Sequence, residues 1–241
     1  MPIAQTLFAL LITVLASLVV GITGFGFGLI ATPLYANLMQ LSEAVVLVTL
    51  TSMPLMVQNI LTVRTAIPWR DIWPLLLTSL PASALGTIVL AQSDTLFLRI
   101  ILAATTILGC VVTLWVPKRA LIHKSYPWAY LAGLLGGFIG GAVAAGGPPV
   151  VLYCLLRGWD KHNIKAILSV YFTFTTIWRM LQLILNHLAS WTIVRLGLIL
   201  MVPALLVCYL GTLIFRRMST TIFRYATIAL LIAMAVNLVV Q

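Results

Sequence analysis

Gly21-Ile22-Thr23-Gly24-Phe25-Gly26-Phe27-Gly28 interrupts an apolar run that extends from Ile3 to Leu38. Gly136-Gly137-Phe138-Ile139-Gly140-Gly141, followed by Gly146-Gly147-Pro148-Pro149, interrupts a second run from Trp128 to Leu156. A membrane-crossing helix needs roughly 20 residues, yet these runs hold about 36 and about 30. Glycine in the middle and proline behind it predict that each run is a broken helix, or a helix followed by a half-helix. The two stretches align 116 positions apart: Gly21 with Gly137, Gly24 with Gly140, Pro33 with Pro149. A duplicated, broken apolar segment points to the substrate site of a transporter.

Composition sets the class. The 241 residues are 62% hydrophobic and 7% charged, with a mean hydropathy of +1.15. Soluble domains carry about 25% charged residues, so this is a polytopic membrane protein. Lipid admits only helices or closed barrels. The apolar runs are continuous and not alternating, so the expectation is all-α. Eight segments are expected at Ile3–Leu38, Glu43–Val63, Ile72–Ala91, Leu96–Val116, Trp128–Leu156, Ile164–Leu188, Thr192–Phe215 and Thr221–Val240. Met1 to Val20 lacks a charged n-region and a small-residue cleavage pattern, and is read as the first span. Trp69 pairs with Trp191 and Pro81 with Pro203, both 122 apart. Gly86-Thr87 pairs with Gly211-Thr212, and Arg99 with Arg224, both 125 apart. The expected organisation is a first transmembrane repeat (1–116), a basic linker (117–124) and a second repeat (125–241), forming one integrated bundle.

The net charge of +10 sits in short groups: Arg64 and Arg70; Lys118, Arg119 and Lys124; Arg157, Lys161 and Lys165; Arg216, Arg217 and Arg224. These are read as juxtamembrane anchors facing anionic lipid, not as a nucleic-acid surface. Cys110, Cys154 and Cys208 fall in apolar runs with no CxxC spacing, so neither a disulfide framework nor a metal site is indicated. Counting eight simple spans puts six basic residues on one side and seven on the other, which leaves orientation open. If both broken segments turn back inside the membrane, each half gains odd parity and the halves invert.

A glycine-rich break followed by a half-helix offers free backbone N–H groups at the positive end of a helix dipole, a cradle for a small anion. Gly24, Phe25, Gly26, Gly28, Gly140, Gly141, Gly146 and Gly147 are the candidates. The alternative is tight helix packing, since Gly24/Gly28, Gly133/Gly137, Gly136/Gly140 and Gly137/Gly141 all fit GxxxG. Arg179 lies deep in the sixth segment, where a charge is costly and marks a functional candidate. It suits an oxyanion through bidentate donation, or else snorkels to an interface. At an offset of 122 its counterpart is Val57, beside Gln58 and Asn59, and Asn59 joins the candidate site. Thr49, Thr51, Ser52, Thr173, Thr175 and Thr176 add hydroxyls, with Thr51 and Thr173 as candidate ligands. They serve either an oxyanion or their own helix backbone.

The four acidic residues, Glu43, Asp71, Asp94 and Asp160, sit at segment ends, so no mid-membrane carboxylate is available for protons or sodium. No GxxxxGK[ST], GxSxG or HExxH stretch occurs, which argues against an ATPase, a hydrolase and a membrane protease. No enzyme activity, metal or cofactor is indicated, and the cargo expected is an anion.

On GFGFGLIATP (Gly24–Pro33), GGFIGGAVAAGGPP (Gly136–Pro149), the two-half layout and the length, the whole chain resembles the TauE/SafE sulfite-exporter-like permease family. That resemblance implies a multi-pass protein of the bacterial inner membrane that moves sulfite, sulfonates or other small organic or sulfur-containing anions. Phe25 and Phe27 alternate with glycine where the family has consecutive glycines, which reshapes one half of the site. The expected function is a secondary carrier working by alternating access, with Phe25, Phe27, Tyr153 and Trp178 lining or gating the path. An anion channel and a non-transporting scaffold are the alternatives. Expected partners are the anion and membrane lipids, without nucleic acid. The sequence leaves the oligomeric state open; transporters of this size often pair, so a homodimer is one candidate assembly.

Overall fold

The computed structural model describes residues 3–62, 67–94, 96–101, 103–105, 126–219 and 221–222. All regular structure among them is helical. The elements are α1 (Ile3–Thr23), α2 (Phe27–Ala36), α3 (Leu41–Thr62) and α4 (Trp69–Gln92), then a short α5 (Leu96–Thr105). They continue with α6 (Tyr126–Val143), α7 (Gly147–Leu156), α8 (Lys161–Leu185) and α9 (Trp191–Arg217). Five described helices are long and apolar enough to cross a membrane: α1 over Gln5–Thr23, α3, α4, α8 and α9. Most of the expected fourth segment, the linker 117–124 and nearly all of the eighth segment lie outside the described residues.

The long first and fifth segments each consist of two helices. α2 doubles back along α1: Thr13 and Tyr35 share a hydroxyl hydrogen bond of 2.7 Å, and the Tyr35 hydroxyl donates to Ala9 O at 3.2 Å. α7 doubles back along α6, with Gly146 against Gly136 and Gly140, and Val150 against Gly136. The breaks follow Thr23 and Val143, 120 residues apart. That differs from the sequence alignment at 116, because Gly140 lies inside α6, one turn before the break, while Gly24 is the break itself.

Contacts give the helix directions. A short turn joins α2 to α3, and Gly28 faces Val48, so α3 runs with α1. Leu50 meets Gly197 and Gln58 donates to Leu205 O, so α9 runs with α3. Gly133, Gly137 and Gly141 of α6 meet Leu75, Ser79 and Ser83 of α4, in step and in the same direction. Trp69 and Leu80 of α4 meet Phe174 and Trp178 of α8, so α4, α6 and α8 run together. Lys161 and Lys165 at the start of α8 reach Met218 and Thr212 at the end of α9. The two sets are therefore opposed, and α6 runs opposite to α1.

The glycines that read as GxxxG have a packing role where they face a neighbouring backbone. A Cβ on Gly141 would stand 2.9 Å from Ser83 C; a Cβ on Gly140 would meet nothing nearer than 3.7 Å. Backbones that approach this closely leave no volume for a side chain, and overpacking costs about 1–3 kcal/mol or more. Gly141→Leu is therefore expected to lower the melting temperature in detergent or abolish folding, while Gly140→Ala leaves it close to wild type. Equal effects of the two changes would refute the packing assignment.

Candidate functional site

At the first break the Gly24 N–H donates to Val20 O at 2.8 Å, closing α1. Gly24 (φ 81) and Gly26 (φ 93) then adopt left-handed backbone, which only glycine takes without strain. The Thr23 hydroxyl donates to Phe25 O at 2.7 Å and steadies the turn. Gly26 is the N-cap of α2, and no side chain caps it. The first-turn N–H groups of Phe27, Gly28 and Leu29 thus have no intrahelical acceptor.

The second break repeats this plan with different residues. The Ala144 N–H donates to Gly140 O at 3.0 Å, and Ala144 (φ 56) carries the left-handed turn without glycine's freedom. Gly146 caps α7 without a side-chain bond. Pro148 and Pro149 follow in the first turn and have no N–H to offer. The end richer in first-turn N–H donors is therefore that of α2.

The tips touch. Gly28 faces Ala144 O, and Gly147 faces the Phe25 ring and Leu29. Beside this contact lies a small, partly open cleft. Phe25, Gly26, Phe27, Gly28 and Leu29 line it from the first tip, and Ala144, Ala145 and Gly147 from the second. Val48, Ser52 and Met56 of α3 and Phe172, Thr176 and Arg179 of α8 complete the wall.

Arg179 decides the chemistry. It is 6% exposed. Its Nε donates to Thr49 Oγ1 at 2.9 Å and its Nη1 to Gly140 O at 2.8 Å. Nη2 has no partner among the described residues and belongs to a side chain that lines the cleft. No carboxylate offsets the charge: Glu43 and Asp71 lie in first helical turns, Asp160 caps α8 and Asp94 follows α4. Among the described residues the ion pair is Arg157–Asp71 at 3.4 Å, at a helix end. A buried cation without a counter-ion is unfavourable until an anion joins it.

A family profile for the sulfite exporter TauE/SafE matches residues 9–238. The chain belongs to the sulfite exporter TauE/SafE family. No curated protein and no solved structure matches it. The family is one of membrane transport of sulfite-type anions, and this member is a multi-pass membrane protein.

Of the residues singled out from sequence, the fold brings Phe25, Gly26, Gly28, Gly147 and Arg179 to the cleft of this TauE/SafE protein. Gly24 lies behind the tip, against Lys165 Cγ and Ser169 Oγ. Gly140 contributes its carbonyl to Arg179, Gly146 packs on Gly136 and Gly140, and Gly141 packs on Ser83. Thr173 returns its hydroxyl to Ser169 O at 2.7 Å. Thr51 is buried with its hydroxyl unpartnered among the described residues, away from the cleft. Asn59 donates to Val20 O at 3.2 Å. That bond is the counterpart of the Arg179–Gly140 bond, each partner displaced by 120 residues.

Lys161 and Lys165 differ from the juxtamembrane reading. Asp160 accepts from the N–H groups of His162 and Asn163 at 2.7 and 2.9 Å and starts α8 there. Lys165 is thereby one full turn inside the helix and 1% exposed. The cleft residues missed from sequence are apolar: Leu29, Ala144 and Ala145 at the tips, and Val48, Met56 and Phe172 on α3 and α8. For the last three the signal was the four-residue spacing Val48–Ser52–Met56 and Phe172–Thr176 that puts each set on one helix face.

The Thr49 hydroxyl donates to Val45 O at 2.7 Å and accepts from Arg179 Nε at 2.9 Å, so it serves to orient the guanidinium. Thr49→Val is expected to weaken sulfite binding about three- to tenfold, the size of one charge-assisted hydrogen bond, with the melting temperature nearly unchanged. Calorimetric titration of the purified protein with sulfite reads the affinity directly, and an unchanged dissociation constant contradicts the orienting role.

Proposed function

We propose that this chain is a secondary carrier for a small organic or sulfur oxyanion, with the cleft between the two tips as its central binding site. The observation that carries the reading is Arg179: a buried guanidinium, without a carboxylate, on a side chain that lines the cleft and keeps one nitrogen unpartnered among the described residues. Thr176 and the α2 N–H groups supply further donors around the same space, Ser52 donating instead to Thr49 O at 3.3 Å, and the helix dipole of α2 adds to the attraction. Phe25, Phe27 and Phe172 make the rest of the wall apolar, which strengthens each charge-assisted bond by excluding water.

Alternating access follows from a repeat. Exchanging α1 for α6, α2 for α7, α3 for α8 and α4 for α9 turns each major packing pair into another: α1·α9 into α4·α6, α3·α9 into α4·α8, α2·α3 into α7·α8. The opposed directions of α6 and α1 support reading the two halves as inverted repeats in one bundle, a plan in which two states of equal packing open the site to opposite faces. The described basic residues then segregate. Arg70, Arg157, Lys161, Arg216 and Arg217 lie at one end of the bundle, and Arg99 and Arg195 at the other. The positive-inside rule makes the first end cytoplasmic, in the bacterial inner membrane.

Reconstituted protein is expected to take up radiolabelled sulfite with saturation and with stimulation by sulfite on the opposite side. Arg179→Ala should lower that uptake at least about tenfold and Arg179→Lys less, because the ammonium keeps the charge but not the fork. Uptake that never saturates would instead identify a channel, and full uptake by Arg179→Ala would remove the central assignment. In a background without Cys110, Cys154 and Cys208, Arg195→Cys in intact cells should react with an impermeant maleimide and Arg217→Cys should not. The reverse pattern inverts the orientation.

A further inference from the structure

Six positions of α8 fall on one face at spacings of four, four, three, four and three: Lys161, Lys165, Ser169, Phe172, Thr176 and Arg179. The last three line the central cleft. The first three lead from there to the basic end of the bundle. Lys161 is 8% exposed and Lys165 1%. The Lys161 ammonium lies 4.8 Å from the centre of the Phe215 ring and the Lys165 ammonium 4.3 Å from the same centre. Their polar contacts are neutral. Lys161 donates to Phe215 O and Met218 O, and Lys165 to Gly21 O and Thr212 Oγ1. One turn deeper the Ser169 hydroxyl is fully buried and has no partner among the described residues. It stands against Gly24 at the back of the first tip, as does the Lys165 stem.

Two cations gathered on one ring, inside a helix bundle and without a carboxylate, repel each other and gain from an anion between them. Surface anchors would have put their charges in water, and lysine stems are long enough to do so. Here Lys161 instead reaches into the last turn of α9 and Lys165 to the end of α1, and the unpartnered Ser169 hydroxyl lies one turn deeper, beside the Lys165 stem at Gly24. We propose that Lys165, with Lys161 and Ser169, forms a second oxyanion position, a staging site that the cargo occupies between the basic face and the central cleft. The proposal rests on the central cleft being the transport site. The first tip, at Gly24 and Phe25, separates the two positions in this conformation, so passage between them requires that tip to move. In the other half, Val45 occupies the position equivalent to Lys165, 120 residues earlier, so the opposite entrance has no such charge and the staging is one-sided.

Sulfite flux should therefore be measured separately from each face, in oriented proteoliposomes, for wild type, Lys165→Met, Lys165→Arg, Ser169→Ala and Arg179→Ala. Lys165→Met is expected to raise KM about tenfold or more for sulfite presented at the basic face, with KM at the other face changed less than about twofold. Lys165→Arg should restore most of the loss. Ser169→Ala removes no packing of consequence and should raise KM about threefold at the basic face alone, which keeps the test decisive if Lys165→Met fails to fold. Equal KM values at the two faces for both variants, or equal rises at the two faces, overturn the staging site and leave Lys165 a clamp on α1. If Arg179→Ala keeps full flux while the Lys165 effects appear, the central assignment fails and the staging site stands. Wild type that moves no sulfite overturns both for this anion.

Discussion

Two helices end in the middle of this bundle: Val20 O and Gly140 O accept the last backbone bonds, from Gly24 and Ala144, and Gly21 O beyond them is met by side chains. In lipid, a backbone group without a partner costs several kcal/mol, so a helix can stop there only if side chains come to meet it. Asn59 from α3 meets Val20 O at the end of α1. Thr212 from α9 and Lys165 from α8 meet Gly21 O beside it. Arg179 meets Gly140 O at the end of α6. The burial of Asn59, Lys165, Arg179 and Thr212 fits this need. The same need also explains why the strongest donors are cations: the carboxyl end of a helix carries partial negative charge. The arginine that adds a second bond to Gly140 O has one nitrogen left over among the described residues, and under the proposed function that nitrogen meets the ligand.

The glycines divide by the direction they face. Gly133, Gly137 and Gly141 form a stripe that brings α6 onto the backbone of α4, and Gly21 does the same for α1 on α9. Gly24 and Gly26 are present for their backbone angles. Gly28 and Gly147 are present because another tip occupies the space a side chain would need. A glycine-rich motif of this length is three overlapping requirements and not one binding loop.

That overlap limits what could be read from residues alone. The breaks were legible, because a run of about 36 apolar residues is too long to be one span and the glycines show where it yields. The existence of a buried arginine was equally plain. The register between the halves was not. Aligning the glycine strings matched Gly24 with Gly140, but Gly140 belongs to the wall of α6 and the turn it was matched to is made by Ala144. A left-handed alanine leaves no trace in composition. The position of Lys165 was hidden for a related reason: it follows a loop closely in sequence, and only the Asp160 cap reveals that the helix has already begun. The apolar part of the cleft cannot be told from core by residue type, since Val48, Met56 and Phe172 would look the same in either.

The cap on α1 also has a consequence for how the protein is made. Thr212 bonds to Gly21 across a sequence separation of 191 residues, and Lys165 across 144. At about 5–20 residues per second, roughly ten to forty seconds of synthesis separate the first helix from its last capping group. During that interval the nascent first hairpin holds open carbonyls that the finished protein never shows, and the insertion machinery or the headgroup region must shelter them until α9 arrives.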